Sequence, residues 1–233
     1  MRFWTKRTKQ QPPVEEVLTR LPDSFRSALL SMYAGQLQSG SDGELHELDS
    51  GTRINPEGGM WLYETCCHLK PKQTVEIGLA YGFSTIYLLA AIYKNGSGFH
   101  IAIDPFEDRD WHGIGLCQSE KLAMKHAFHF INEKSVPALA DLARNNQRFE
   151  LILIDGNHRF DDVLVDFTLS TEVCSSGGYI VLDDTWMASI QRAVSFIRKN
   201  RADFSEIVTS VPNMAVFKRI GDDLREWNHY VDF

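Results

Sequence analysis

Short apolar runs alternate with helical segments from Thr74 to Asn200, and this alternation constrains the fold more than any other feature of the chain. Strands that alternate with helices form βαβ units, whose parallel strands are covered by helices on both faces. The sequence therefore predicts an α/β protein with a mostly parallel sheet. The predicted strands cover residues 74–77, 99–103, 128–131, 149–154 and 179–182, and the predicted helices cover 84–93, 119–126, 135–144, 161–174 and 190–200.

The two ends of the chain follow other patterns. Residues 204–211 and 215–220 are apolar runs joined through Pro212 and Asn213, which predicts a hairpin and an antiparallel last strand. Residues 14–34 have helical spacing broken early by Pro22, and residues 60–69 predict a second helix. The intervening stretch, 35–59, is rich in Gly, Ser and Asp and is expected to act as a lid. We expect three parts: an N-terminal tail, helix and lid segment (1–59), one domain (60–220) and a C-terminal tail (221–233).

Composition excludes several classes of protein. Hydrophobic residues make up 43% of the 233 residues, which excludes a largely disordered chain. The formal net charge of −7 disfavours nucleic acid as the main partner. No apolar run is long enough to span a bilayer, and the basic N-terminus (Arg2, Lys6, Arg7, Lys9) lacks the apolar stretch of a signal peptide. The four cysteines lack zinc-ligand spacing, and reduced thiols favour a cytoplasmic location.

A glycine turn follows the first strand of the alternating region, in the segment TVEIGLAYGFST from Thr74 to Thr85. Gly78 and Gly82 allow the backbone to bend and to approach a ligand. Ser84 and the free amides of the next helix are placed to hold an anion or a carboxylate. The alternative is that the glycines serve only the close packing of helix on strand.

An acid follows the second strand, where Asp104 ends the segment HIAID. An acid in this position is placed to accept hydrogen bonds from two ribose hydroxyls. Its alternative role is to cap the turn before Pro105. Phe106 is a candidate contact for an adenine ring and Ser135 for the edge of that ring, against capping or core packing as alternatives.

Three further acids follow the fourth and fifth strands. Asp155 ends FELILID, and Asp183 and Asp184 end YIVLDD. Neighbouring strands are about 4.8 Å apart, so these carboxylates would crowd one place unless a cation neutralised them. A hard divalent ion such as Mg²⁺ is the simplest compensation. The alternative is that Asp155 caps the next turn and that Asp183 and Asp184 start a loop.

The glycine turn E-x-G-x-x-x-G and the acid after strand two resemble the S-adenosylmethionine (AdoMet) site of class I methyltransferases. The resemblance covers about residues 54–220. It implies a Rossmann-like, doubly wound sheet of seven strands in the order 3-2-1-4-5-7-6, with an antiparallel last strand. It also implies that the turn holds the methionine part of AdoMet and that Asp104 holds the ribose. The expected AdoMet-binding residues are Glu76, Gly78, Ala80, Gly82, Ser84, Asp104, Phe106, Ser135 and Asp155.

The acidic residues resemble the metal site of the metal-dependent O-methyltransferases of the catechol and caffeoyl-coenzyme A type. That family holds Mg²⁺ with an Asp after strand four and an Asp-Asn pair after strand five. Asp155 and Asp183 match the first two positions, whereas Asp184 stands where Asn is usual, so Mn²⁺ or Ca²⁺ is also considered. The strings IDPF, IDGNH and LDDTW look closer to a bacterial branch that contains sugar and natural-product O-methyltransferases.

His158, three residues after Asp155, stands at the offset where the catechol enzyme has a basic lysine. The unperturbed pKa of histidine suits proton abstraction near neutral pH, so His158 is the candidate base, with a turn or supporting role as its alternative. Trp186, Trp111 and His112 are candidates for the acceptor pocket, against core or lid packing.

These features predict an AdoMet-dependent, metal-assisted O-methyltransferase acting on a small-molecule hydroxyl of a catechol, a sugar or a natural product. A non-catalytic AdoMet-binding module, or a partner subunit of an oxygenase on the same fold, is the alternative. An NAD-linked oxidoreductase is disfavoured because the third glycine of its fingerprint is absent. A homodimer is a possible assembly.

Overall fold

The computed structural model describes residues 13–233, and its main sheet has seven strands. These are β3 (Gln73–Ile77), β4 (Phe99–Ile103), β5 (Phe128–Ile131), β6 (Phe149–Ile154), β7 (Cys174–Leu182), β8 (Phe204–Ile207) and β9 (Ala215–Arg219). Their order across the sheet is β5-β4-β3-β6-β7-β9-β8. Strands β3 to β7 pair in parallel, and β9 runs antiparallel to both β7 and β8. This confirms the predicted fold class and strand order.

Helices cover both faces of the sheet and form two cores. Side chains alternate along each strand, so Leu151 and Leu153 of β6 face one core while Ile152 and Ile154 face the other. The first core lies under α2, α3 and α4, and the second under α7, α8 and α9. The helices are α1 (Val14–Val17), α2 (Asp23–Tyr33), α3 (Pro56–Leu69), α4 (Phe83–Asn95), α5 (Glu107–Asp110), α6 (Ile114–Lys121), α7 (Ser135–Arg144), α8 (Phe160–Val173) and α9 (Ala188–Asn200).

The segment expected to be a lid carries regular structure. It contains the hairpin β1 (Gln38–Ser39) and β2 (Leu45–His46), a 3-10 turn at Ser50–Thr52 and the start of α3. Helix α3 begins at Pro56 rather than at residue 60, because the Asn55 side chain accepts a 2.7 Å hydrogen bond from the Gly58 amide and Pro56 fits the first turn.

Other element boundaries also differ from the predictions. Helix α6 spans Ile114–Lys121 instead of 119–126, because Gly113, with φ 66°, starts the helix earlier. Strand β7 begins at Cys174, five residues before the predicted start. At the C-terminus, the Asn200 side chain donates to the Val231 carbonyl and accepts from its amide, which ties residues 221–233 to α9.

Within the described residues, no helix is both long and apolar enough to cross a membrane. The basic residues of the N-terminal tail lie in 1–12, outside the described part of the chain.

The contact between α3 and α4 depends on Gly59. A Cβ atom at this position would lie 2.1 Å from Cε2 of Tyr87, so the buried Tyr87 ring lies directly against the glycine backbone. Gly59→Ala is expected to lower the free energy of unfolding by about 1–3 kcal/mol through overpacking, as measured by chemical denaturation. Gly58→Ala is the matched control in the same helix, because its nearest neighbours are side-chain atoms at 3.3 Å. Equal stabilities of the two variants would contradict this reading of the contact.

Candidate active site at the carboxyl edge of the sheet

The glycine turn between β3 and α4 depends on two glycines with left-handed backbones. Gly78 has φ 96°, and a Cβ atom there would lie 2.2 Å from the Asp155 carbonyl oxygen. Gly82 has φ 81°, starts α4, and would place a Cβ 3.0 Å from the Gly115 Cα. Both positions therefore exclude a side chain, and the turn passes close to the loop that carries Asp155.

Glu76 is completely buried and supports the glycine turn through side-chain hydrogen bonds. Its carboxylate accepts hydrogen bonds from the Ser84 hydroxyl at 2.7 Å and from the Thr85 hydroxyl, and it lies 3.1 Å from Nε2 of His100. The hydroxyl of Ser84 is therefore engaged by Glu76, which leaves the backbone amides of the first turn of α4 as the groups available for an anion. Thr85 and His100 were not predicted, because a Thr inside a helix and a His inside a strand carry no motif.

Asp104 lies at the end of β4, 5% exposed, and supports the same turn. Its Oδ2 accepts from the amides of Leu79 and Ala80 at 3.1 Å each, and its Oδ1 accepts from the Phe106 amide at 2.8 Å. Each carboxylate oxygen has two lone pairs, so Oδ2 is saturated by the two amides and Oδ1 keeps one lone pair for a ligand hydroxyl. Ala80, which has φ 46°, lines the cleft above this carboxylate.

Phe106 and Ser135 flank this region. The Phe106 ring is partly exposed and is covered by the Arg109 guanidinium at 4.3 Å from its centroid. Ser135 starts α7 and lies near Asp166 of α8. Burial raises the pKa of Asp166 to about 6, and the nearby Ser135 hydroxyl acts in the opposite direction.

The acids that follow β6 and β7 come together with His158. Asp155, His158 and Asp184 each offer one ligand atom, and these atoms all lie within 4.8 Å of one another. The His158 Nε2 is 2.9 Å from Oδ2 of Asp184 and 3.7 Å from Oδ1 of Asp155. Asp183 was predicted as a third acidic ligand, but it is outside this group. It is 5% exposed and accepts a 2.9 Å bond from the Asp184 amide. Trp186 donates its indole N–H to Asp184 at 2.7 Å.

Burial and charge perturb each titratable group of this cluster. Desolvation, and then the neighbouring Asp155 carboxylate, raise the pKa of Asp183. Desolvation also raises the pKa of Asp155, whereas the His158 contact lowers the pKa of Asp184. The bonds to Asp155 and Asp184 raise the pKa of His158 to about 10. These two carboxylates therefore favour the protonated form of the His158 ring.

The glycine turn and the acidic cluster line one cleft. Trp111 is among the residues that line the cleft, and Trp186 stands beside Asp184 with 62% of its surface exposed. His112 is not among the lining residues; its ring stacks on His46 of the hairpin at 3.8 Å.

Arg53, which no sequence motif indicated, is the one lining side chain of permanent positive charge among the described residues. The cleft is lined by Gly51, Thr52, Arg53, Ile54, Gly78, Leu79, Ala80, Phe83, Ser84, Trp111, Asp155, Gly156, His158, Asp183 and Asp184.

The sequence of this chain is similar to those of known methyltransferases. Residues 75–185 match a family described as a methyltransferase domain. The chain is 23% identical to a flavonoid 3',5'-methyltransferase of Vitis vinifera, over 64% of the chain and 63% of that protein. It is 28% identical to a probable caffeoyl-CoA O-methyltransferase of Arabidopsis thaliana, over 63% of the chain and 66% of that protein. The matches thus span just under two thirds of these relatives.

Solved structures share the fold. An O-methyltransferase from Bacillus cereus in complex with SAH superimposes with a TM-score of 0.68 at 16% identity, over 89% of this chain and 94% of that one. An SAH-bound methyltransferase of Podospora anserina superimposes with a TM-score of 0.66 at 14% identity, over 89% and 93%. Just under half of the chain thus matches a methyltransferase domain, and 89% of the chain shares the fold of these solved structures.

Proposed function

We propose that the protein is an AdoMet-dependent, divalent-metal-assisted O-methyltransferase that acts on a hydroxyl of a small molecule. The observation that carries the proposal is the placement of the acidic cluster beside the glycine turn in a single cleft. A methyl donor and an acceptor must be held in line for a direct displacement, so one cleft with two adjoining subsites is what the reaction needs.

The donor is proposed to bind at the glycine turn. The amides of the first turn of α4 suit the carboxylate of its methionine part, and the positively polarised helix end favours that charge. Asp104 is proposed to accept from a ribose hydroxyl through Oδ1 while Oδ2 holds the Leu79 and Ala80 amides. Two structural neighbours with this fold carry SAH, the demethylated form of AdoMet, which supports this assignment.

The carboxylates of Asp155 and Asp184, with Asp183 adjoining, fit a divalent cation. Burial disfavours the charge of both Asp155 and Asp183, so a cation that neutralises these carboxylates would stabilise the site. Carboxylate-rich sets of this kind suit Mg²⁺ or Mn²⁺, and Ca²⁺ also prefers oxygen ligands. A bound ion would supply Lewis-acid chemistry, which lowers the pKa of an acceptor hydroxyl and orients it.

His158 is proposed to take the proton of the acceptor hydroxyl. Its Nε2 lies at the acidic cluster, and it must be neutral to accept a proton. A cation on the same carboxylates would remove the attraction that raises the His158 pKa, so the base is expected to form only in the loaded site. Trp186, held by Asp184, and Trp111 are proposed to contact the apolar part of the acceptor.

The acceptor class is proposed from the cleft and the relatives together. A flavonoid methyltransferase and a probable caffeoyl-CoA O-methyltransferase are among the similar proteins, which favours phenolic acceptors over sugars. Arg53 adds one positive charge to an otherwise acidic cleft and is a candidate partner for an anionic group of either ligand.

Metal dependence tests the proposed function. Methyl transfer from labelled AdoMet to a panel of catechols, phenolic natural products and sugars is expected with Mg²⁺ and not with excess chelator. Added Mg²⁺ should restore it, and AdoMet affinity should change little, because the glycine turn and Asp104 carry most of that binding. Activity in chelator with metal confirmed absent would make the acids structural. AdoMet binding with no transfer to any acceptor would favour a non-catalytic binding module.

The variant Asp183→Asn tests whether the buried charge of Asp183 lowers the Tm and whether metal-stimulated methyl transfer needs that charge. The amide keeps the bond from the Asp184 N–H and removes a buried charge beside Asp155. We expect a higher Tm without metal and a loss of metal-stimulated transfer. The folded-state pKa of Asp183 is above its unfolded value, so the wild type loses stability as the pH rises above about 4, and the Tm difference should widen with pH. Exposed Glu226→Gln is the control, and a lower Tm for Asp183→Asn would contradict the argument.

Asp104 is expected to control donor affinity. Asp104→Ala removes hydrogen bonds to a charged group that are each worth roughly 1.5–3 kcal/mol, so calorimetry should give at least about tenfold weaker AdoMet binding. Asp104→Asn keeps the size of the side chain and is the matched variant, and thermal unfolding reports damage to the turn. Unchanged affinity in a folded Asp104→Ala protein would refute the ribose assignment.

His158 is expected to control turnover. His158→Ala should lower kcat by about 10²–10⁴-fold, the usual range for loss of a general base, and should abolish the acid limb of the pH–rate profile. AdoMet affinity should be unchanged, and exposed His129→Ala is the control. Near-normal kcat would assign His158 to a supporting role, and loss of metal affinity would make it a ligand.

A further inference from the structure

A second group of potential metal ligands lies on the hairpin, outside the acidic cluster. It consists of Asp42 in the β1–β2 turn, His46 at the end of β2, and His112 before α6; we call it the hairpin cluster. Each side chain offers one ligand atom, and these atoms all lie within 4.8 Å of one another. The His46 Nε2 is 3.0 and 2.9 Å from the two carboxylate oxygens of Asp42.

Backbone contacts hold the three residues together. The Ser41 amide donates to the His112 carbonyl at 2.7 Å, and the Ser41 hydroxyl donates to the same oxygen at 3.3 Å. A Cβ atom at Gly40 would lie 2.7 Å from that carbonyl, and one at Gly113 would lie 2.4 Å from the Ser41 Oγ. The hairpin turn and His112 are thus in direct contact at positions that exclude a side chain.

The backbone of His112 is also unusual. Its φ of 56° is in the left-handed region, which is sterically costly for a residue with a Cβ atom. The surrounding contacts maintain this conformation, and it directs the imidazole onto His46.

We propose that the hairpin cluster binds a divalent transition-metal ion of the zinc type. Two imidazole nitrogens and one carboxylate oxygen suit Zn²⁺, Co²⁺ or Ni²⁺, whereas Mg²⁺ prefers an all-oxygen set. The chemistry therefore differs from that of the carboxylate-rich cluster at Asp155, and the proposal does not rest on the proposed function.

Ion binding requires one change in the cluster. The rings of His46 and His112 are stacked, with 3.8 Å between centroids and 7° between planes. An ion lies in the plane of each imidazole that binds it, so one ring must turn about its Cβ–Cγ bond and leave the stack. The ion would replace the Asp42–His46 contact and the stacking with bonds to all three side chains.

An ion at the hairpin cluster would hold in place the side of the cleft that Trp111 lines. Trp111, the neighbour of His112, lines the cleft and packs edge-on against Tyr81, with 5.2 Å between the ring centroids. The Tyr81 hydroxyl accepts from the Asp49 amide at 3.3 Å, beyond the hairpin. An ion at the hairpin cluster would join the hairpin to this wall by ligand bonds in addition to the Ser41 contacts.

Metal titration of the tag-free full chain tests the proposal. Excess Mg²⁺ is kept present to compete for the carboxylate-rich cluster, and Zn²⁺ affinity is measured against a chromophoric chelator. The wild type is expected to bind one more Zn²⁺ than the double variant His46→Ala/His112→Ala, and Asp184→Asn should retain this additional ion. Each single His variant should bind it at least about tenfold more weakly. Exposed His129→Ala is the control.

A Co²⁺ spectrum identifies the ligand type, and a second variant covers the case in which the first does not fold. Co²⁺ bound at this site should give visible d–d bands without the charge-transfer band of a cysteine ligand, and the double variant should lack those bands. His112→Asn serves where His112→Ala fails to fold, because Asn tolerates a left-handed backbone. Wild-type Zn²⁺ stoichiometry and affinity in the folded double variant, or a cysteine-type Co²⁺ spectrum, would overturn the proposal.

Discussion

The parallel register of four adjacent strands places the glycine turn and three carboxylates of the candidate site. Ile77 of β3 is paired with Ile103 of β4 and with Ile154 of β6, and Ile154 is paired with Leu182 of β7. The residue after each of these four positions is Gly78, Asp104, Asp155 and Asp183, respectively. Hydrogen bonds from Gly78, Asp155 and Asp183 to neighbouring strand ends continue the pairing by one residue. Three carboxylates and the glycine turn thus meet at one edge without any contribution from the loops.

This placement brings buried carboxylates together, which lowers the stability of the folded protein. Burial raises the pKa of Asp155 and Asp183, and their proximity adds to the effect on Asp183. His158 offsets part of this cost, because it is held between Asp155 and Asp184 as a cation. A structural cluster would be more stable with an amide or an apolar residue in one of these positions. The retention of like charges is typical of a site that is completed by a ligand.

The strand-end residues were predictable, whereas the loop residues were not. β4, β5 and β6 have the predicted bounds because short apolar runs between turn residues specify buried strands. Asp104, Asp155 and Asp183 follow from that register. The side-chain directions of Ser84 and His112 do not follow from the register. The Ser84 hydroxyl donates to buried Glu76, and the His112 ring stacks on a hairpin residue that lies 66 residues earlier in the chain. Helix α6 was misplaced because Gly113 starts it by adopting a left-handed backbone in contact with Ser41, which no local pattern encodes.

The two clusters differ in what fixes their ligands. At the acidic cluster, Asp155 follows the sheet register directly, so its position is as rigid as β6. At the hairpin cluster, two short strands and the Ser41–His112 contact carry the ligands, with no sheet behind them. Loop-borne ligands lose more conformational freedom on binding and gain more order from an ion. The sheet therefore supplies a site suited to chemistry, and the hairpin supplies one suited to holding the wall of the cleft in place.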